Sequence, residues 1–492
     1  MNSKKWSRRE VLKVLPLSTG AAMVWPHWLR GSVQPPIGSK EQGSANPLAG
    51  IEPQEVVKTY RDRGLGRLSD AELYWAVAAI VARPDARLTQ KTTSFVLHAP
   101  LELMARYSLL PSLTATNREL ARLQMVASAA FYAAGTRPLP DLEVEPAFSK
   151  RVEAKAAWHA ASRSGNADLA EATAMRFGRQ FGLLPLVAEL TPGILVTKNG
   201  ACHGHIGLWQ SLTHGFRQSP DQLLLLRAAV RLMADNPDGT LQSFNAMALQ
   251  AGPELKKTPE QLGKAVTERL LDLPTWQGSR PGGIRGSLRA FEPKNLVEDV
   301  FGDVVHHRLT AEQVGAAFKA LLRVCALTMI QDTPRRAQFE WTHSLTLSQA
   351  AFGLATMGFA PRLCLAAALV WTTNFRHCFG TLRPEPGWEP KRFSGSLEKA
   401  LISSPREAAA KVWHAGREDY VGMAREMANV VAVRNDQHLV KYTRTCFDMM
   451  VADHEYDRLY LAAAAYFCAR WLPRTPHEEL LENLGQGRKT PS

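Results

Sequence analysis

The sequence predicts an all-α fold, a multi-helix globular domain with a central pocket between helices. Three observations predict it. Apolar residues recur at helical spacing in long stretches such as QLLLLRAAVRLM and EQVGAAFKALLRVCALTMI. Capping boxes recur along the chain, at Thr116-x-x-Glu119, Ser219-x-x-Gln222, Thr258-x-x-Gln261, Thr310-x-x-Gln313 and Ser404-x-x-Glu407. Alternating β-branched runs joined by hairpin turns are missing. Pro220, Pro259 and Pro405 each follow a capping residue, at the first helical position, where a proline has no hydrogen bond to lose. Abundant alanine favours helix and close helix packing. Loops are expected over 137–145, 274–295 and 383–393, and a division of the chain near residue 280 is the alternative to one domain.

The N-terminus reads as a segment of its own. Lys4, Lys5, Arg8, Arg9 and Lys13 outweigh Glu10, and sixteen uncharged residues, VLPLSTGAAMVWPHWL, follow. Interrupted by Pro16, Gly20 and Pro26, that run is too short for a spanning helix, which needs about 20 apolar residues. A basic start before a short apolar run is the layout of an export signal. SRREVLK, Ser7–Lys13, resembles the twin-arginine consensus of polar residue, Arg-Arg, any residue, hydrophobic residue, Leu, Lys. That resemblance implies export of an already folded chain through the twin-arginine machinery to the periplasm or beyond. No A-x-A cleavage site follows, so cleavage elsewhere and retention as an anchor both stay open. The expected organisation is a signal over 1–30, a Gly-, Ser- and Pro-rich linker over 31–55, one helical domain over 56–480 and a flexible tail over 481–492.

Composition bounds the function. The net charge of +13 is partly the signal's, since residues 1–30 carry five of those charges, and the rest are scattered without a basic stripe. Nucleic acid is therefore not an expected partner. The six cysteines, Cys202, Cys325, Cys364, Cys378, Cys446 and Cys468, show no metal or redox spacing and mostly sit in apolar helical segments, so they read as core. Neither G-x-G-x-x-G nor the phosphate loop occurs. H-E-x-x-H and G-x-S-x-G are also missing. A di-metal carboxylate bundle needs two Glu-x-x-His pairs, and only Glu340-x-x-His343 is present.

Histidine carries what chemistry the sequence offers. His98 lies two residues before Pro100, which suggests a helix entrance. His203 and His205 lie in NGACHGHIGLWQSL, where glycines precede an apolar helix. His343 lies in FEWTHSLTLSQAAFGLA, before or within a first turn. His438 lies in RNDQHLVKYTRTC, with Asn435 or Asp436 as the natural N-cap. The positive end of a helix disfavours a protonated imidazole. A neutral imidazole can ligate a metal, act as a base or hydrogen-bond a phenol or quinone. For any one of these residues a half-buried capping histidine is the simpler reading. For four together, on segments 105, 140 and 95 residues apart, convergence in the fold would decide.

These segments, in order, resemble the questin oxidase-like family. SFVLHAPLELMARYSLLP is similar to its opening histidine helix, GACHGHIGLWQSLTHGF to its Gly-x-x-His segment and WTHSLTLSQAAFGL to its internal His-x-x-Thr segment. QHLVKYTRTCFD followed by RLYLAAAAYFCARWL resembles its His-x-x-Lys-x-Thr segment and closing helix. The resemblance covers about residues 90–472. It implies ring-opening, Baeyer–Villiger-like oxygenation of an anthraquinone with NADPH. It also implies that His98, His203, His343, His438 and Lys441 line the pocket. The HGH pair leaves His203 and His205 as alternatives, and NADPH is scarce where an exported protein works.

Two functional readings follow. One is an oxidoreductase acting on an aromatic or quinone-like molecule, with Trp209, Phe339, Trp341 and Tyr442 as apolar walls. Histidine would then act as base, or a transition metal would sit among His98, His203, His205, His343 and His438. The other is a non-catalytic helical ligand-binding protein of the cell envelope. For any one of these aromatics plain core packing is the simpler reading.

Overall fold

A computed structural model describes residues 46–85, 93–140, 147–198, 203–213, 220–234, 252–274, 276, 286, 296–332 and 338–472. Residues 1–45, where the signal is expected, residues 473–492 and Cys202 lie outside the described residues. So do Ser219 of one expected cap and the side chains of Phe339 and Glu340.

Nineteen helices and no strand occur among the described residues, as the periodicity predicts. They are α1 Val56–Asp62, α2 Asp70–Val81, α3 Thr93–Leu109, α4 Ala115–Gly135, α5 Arg151–Arg163, α6 Ala167–Phe181 and α7 Leu183–Leu195. There follow α8 His203–Thr213, α9 Arg227–Ala234, α10 Pro259–Leu271, α11 Leu296–Val305, α12 Ala311–Gln331 and α13 Gln338–Thr356. The chain closes with α14 Pro361–Phe379, α15 Leu397–Ser403, α16 Pro405–Trp413, α17 Tyr420–Val431, α18 Gln437–Ala452 and α19 Asp457–Trp471.

The caps fall largely where side-chain oxygens can reach orphan N–H groups. Thr258 with Gln261 and Thr310 with Gln313 form complete capping boxes. Ser69 with Glu72 adds a third, which the sequence reading missed. Two expectations need correction. Thr114, not Thr116, caps α4, its hydroxyl accepting from the N–H of Asn117 at 3.4 Å. At α16, Ser404 makes no cap bond, and Glu407 instead accepts from the Ser403 hydroxyl at 2.6 Å.

The expected linker is shorter than 31–55. Leu48 and Ile51 are buried, and the Asn46 side chain donates to the Ala76 carbonyl at 3.0 Å. Apolar burial therefore begins well before α1. From there one apolar cluster runs from Leu48 to Leu472. The segment 383–393 is non-helical as expected.

Among the described residues only α12 is long and apolar enough to cross a membrane. It is buried inside the molecule, packed on α10, α13, α14 and α19. A core helix passes the same length and hydropathy test as a membrane span.

What positions the site is a closed cycle of four helices. α3 packs on α8, α8 on α13, α13 on α18 and α18 back on α3. Close approach at one side depends on Gly353 of α13. A Cβ there would lie 2.5 Å from the Trp209 indole of α8, so only a glycine lets that ring rest on the α13 backbone. Of the aromatics expected as pocket walls, Trp209, Trp341 and Tyr442 are engaged in helix packing. Trp341 donates to the Asp332 carbonyl at 2.7 Å, and Tyr442 packs against Phe467 of α19.

A four-imidazole candidate site

Each helix of the cycle contributes one histidine to its middle. His98 comes from α3, His203 from α8, His343 from α13 and His438 from α18. The local reasons differ from the expected ones. His203 opens α8 and His438 is the second residue of α18, where the Asp436 carboxylate caps the helix through the Leu439 N–H at 2.7 Å. His98 and His343 instead sit in the second turns of α3 and α13. Pro100 does not mark an entrance but lies inside α3. The macrodipole falls off within the first turn, so it acts on His203 and His438 and not on the other two.

The side chains meet. His203 Nε2 lies 2.8 Å from His98 Nε2 and 3.1 Å from His343 Nε2. Ring centroids of His98 and His438 are 4.6 Å apart, and those of His343 and His438 5.3 Å. All four rings and Lys441 are buried. Lys441 follows His438 by three residues and so shares its helix face.

Burial is the main cause holding the His98 imidazolium well below the ordinary histidine range, and His203, Lys441, His438 and His343 add to it. Burial again comes first for His438, followed by Lys441 and His343. Both rings are therefore neutral around pH 7, with a lone pair to offer.

His205 does not belong to this group. Two residues along a helix turn a side chain about 200°. Accordingly, His205 Nε2 faces the Leu195 carbonyl at 3.1 Å and ties α8 to the end of α7. Of the HGH pair, His203 alone faces the other imidazoles, and His205 is removed from the candidate ligands.

The Nε2 geometry bears on what the group can hold. A neutral imidazole nitrogen is either one donor or one acceptor. His203 Nε2 faces two other Nε2 atoms at hydrogen-bond distance, and it can pair with one of them at a time. A cation among the three would take all three lone pairs. One nitrogen each from His98, His203 and His343 lies within 4.8 Å of the others, a set suited to a shared ion with metal–nitrogen bonds of about 2.0–2.1 Å. Imidazole donors suit zinc, copper, iron or nickel. No carboxylate or thiol joins this set among the described residues. No strand occurs among the described residues, so they build no dinucleotide crevice of the parallel-sheet kind.

Two features near the site escaped the sequence reading. The Thr342 hydroxyl lies 3.5 Å from His343 Nδ1, a long contact on the ring's far nitrogen. Cys325 of α12 and Ser344 of α13, the residue after His343, meet at 3.1 Å. A separate cleft of about 410 Å³ is lined by residues including Leu48, Ile80, Arg83 and Tyr132, and no residue of the four histidine helices lines it.

Fold and site together define an all-α protein with four histidines gathered at the centre of a four-helix cycle. Compared with protein-family models, curated proteins and solved structures, the chain has no match. The questin oxidase-like resemblance therefore stands on the motifs alone.

Proposed function

We propose that this chain is an exported oxidoreductase that oxygenates an aromatic or quinone-like small molecule at the four-imidazole site, with dioxygen as oxidant and an external two-electron donor, one oxygen atom entering the substrate and the other leaving as water. The observation that carries the reading is the meeting of His98, His203 and His343 through their Nε2 atoms. These three residues would hold a transition metal, which when bound supplies Lewis acidity and access to oxygen chemistry. His438, neutral and outside that trio, takes the proton from a phenolic hydroxyl. Lys441 Nζ, on the same face of α18, steadies the phenolate oxygen. Buried surroundings strengthen both interactions. The motif SRREVLK supports export by the twin-arginine route, which carries a folded and loaded protein.

The second reading, a non-catalytic ligand-binding protein of the cell envelope, is favoured by the depth of burial. None of the five side chains is more than 8% exposed. One experiment separates the two. Metal content, and oxygen uptake with hydroxylated anthraquinones and a two-electron donor, are measured for the full chain, His203→Ala and His205→Ala. The oxygenase reading expects metal and uptake in the parent and His205→Ala, and neither in His203→Ala. Metal without uptake supports the binding protein. Neither metal nor uptake in the parent would refute the oxygenase.

A further inference from the structure

The four imidazoles belong to segments far apart in the chain, and something must fix α18 against α3. Three residues spaced by four along α3, His98, Glu102 and Arg106, share one face of that helix. His98 enters the imidazole group. Two turns further on, the fully buried Arg106 reaches across to the turn between α17 and α18. Its Nη1 donates to the Ala432 carbonyl, and its Nη2 donates to the Arg434 carbonyl at 2.9 Å and to the Glu102 carboxylate. Gln124 of α4 donates to the Val433 carbonyl at 3.2 Å. Three successive carbonyls are thus bound by side chains from α3 and α4. Two residues later Asp436 caps α18, which carries His438 and Lys441. Arg444 of α18 also donates to the Ser108 carbonyl near the end of α3, at 3.4 Å.

We propose that Arg106, held by Glu102, is a positioning residue that sets His438 and Lys441 against His98. The physical case rests on what a guanidinium does and what a buried ion pair does not. The planar fork binds two carbonyls and a carboxylate at once, which an ammonium cannot reproduce. A buried ion pair stabilises a fold no better than apolar packing of the same volume, so its value here is geometric. The tie starts on the helix that carries His98 and ends two residues before the cap of the helix that carries His438. The inference rests on the functional reading only for the purpose of the site. The geometry it asserts holds with or without a metal or a reaction.

The test reads that geometry directly. In deuterated, metal-free full chain with protonated histidine rings, cross-relaxation is measured between His98 and His438, whose ring centroids are 4.6 Å apart. The internal standard is His98 with His203, at 4.2 Å. Arg106→Lys is expected to weaken the His98–His438 cross-peak about threefold, as an opening of about 1 Å would, a misplacement large enough to disable a site. The His98–His203 cross-peak is expected to keep its intensity. Arg227→Lys, which disturbs a buried pair with Glu171 elsewhere, is expected to change neither. If Arg106→Lys does not fold, Glu102→Gln is measured instead and should weaken the same cross-peak. The proposal is overturned if the folded variant keeps both cross-peaks. It is also overturned if the parent shows none between His98 and His438, or if both fall together. Absence of metal and turnover would remove the functional reading and leave these intensities untouched.

Discussion

Acid should destabilise the metal-free protein steeply, and the slope can be worked from two residues. His98 and His438 are 3% and 8% exposed, and burial chiefly holds both below the ordinary histidine value of 6.5. Well above pH 6.5 each ring is neutral in the folded and unfolded chains alike, so neither shifts the balance. Below pH 6.5 the unfolded chain takes up protons that the folded chain refuses. The contribution to stability is therefore fully present above the unfolded value and is lost as pH falls toward the folded one. Well below pH 6.5 each ring adds a slope approaching about 1.4 kcal/mol per pH unit, and the two together about 2.7 kcal/mol. Against a total stability of about 5–15 kcal/mol, two pH units would remove about 5 kcal/mol, a large share of it. Urea unfolding at steps from pH 7.5 to 5, in the presence of chelator, measures the slope. His438→Gln removes one titrating ring and should lower the slope by about 1.4 kcal/mol per unit. Equal slopes for parent and variant between pH 6.5 and 5.5 would refute the reasoning.

Three further outcomes are expected. Thr114→Ala should cost about 1 kcal/mol of stability while Thr116→Ala costs about 0.5 kcal/mol or less, because only Thr114 caps α4; thermal melts giving the reverse order would contradict the assignment. Burial pushes the Cys325 thiol up to about 11 and the Cys468 thiol up to about 12, so at pH 8 a thiol reagent should modify them only after denaturation, and peptide mapping of label on either in the folded protein would count against that. Replacing Arg8 and Arg9 by lysine keeps the charge but removes the guanidinium pair, so fractionation should show protein held in the cytoplasm; unchanged export would sink the twin-arginine proposal.

The fold class was legible because helix formation leaves local marks. Thr258, Gln261, Thr310 and Gln313 form their boxes in the structure as the spacing predicts. Thr116 misled for an equally local reason. Thr114, two residues earlier, is also a capping residue, and which of them leaves the helix depends on how α4 enters the core. Pro100 suggests a helix start at His98, and the sequence around His343 a position before or within a first turn, yet both lie a turn inside. That only one of His203 and His205 could face a common centre follows from the helical period. Which one faces in depends on α7, whose Leu195 carbonyl takes His205. Glu102 and Arg106 are readable as an i, i+4 pair on α3. Their task was not, because the carbonyls that Arg106 binds lie 326 and 328 residues further on.

The same long separations connect the site to the proposed route of export. His98 and His343 are brought to His203 by contacts spanning 105 and 140 residues, and His438 joins only when α18 closes the cycle against α3. No fragment that stops before α18 contains the complete group. Contacts of such range form late, because loop-closure entropy is spent before they reward it. Within the proposed function, a metal bound by His98, His203 and His343 would therefore be acquired by a chain whose core has already assembled. A pathway that threads unfolded polypeptide would separate those ligands again. A pathway that carries folded protein would keep them together, which is the physical sense of finding Arg8 and Arg9 ahead of a domain whose candidate site depends on its whole length.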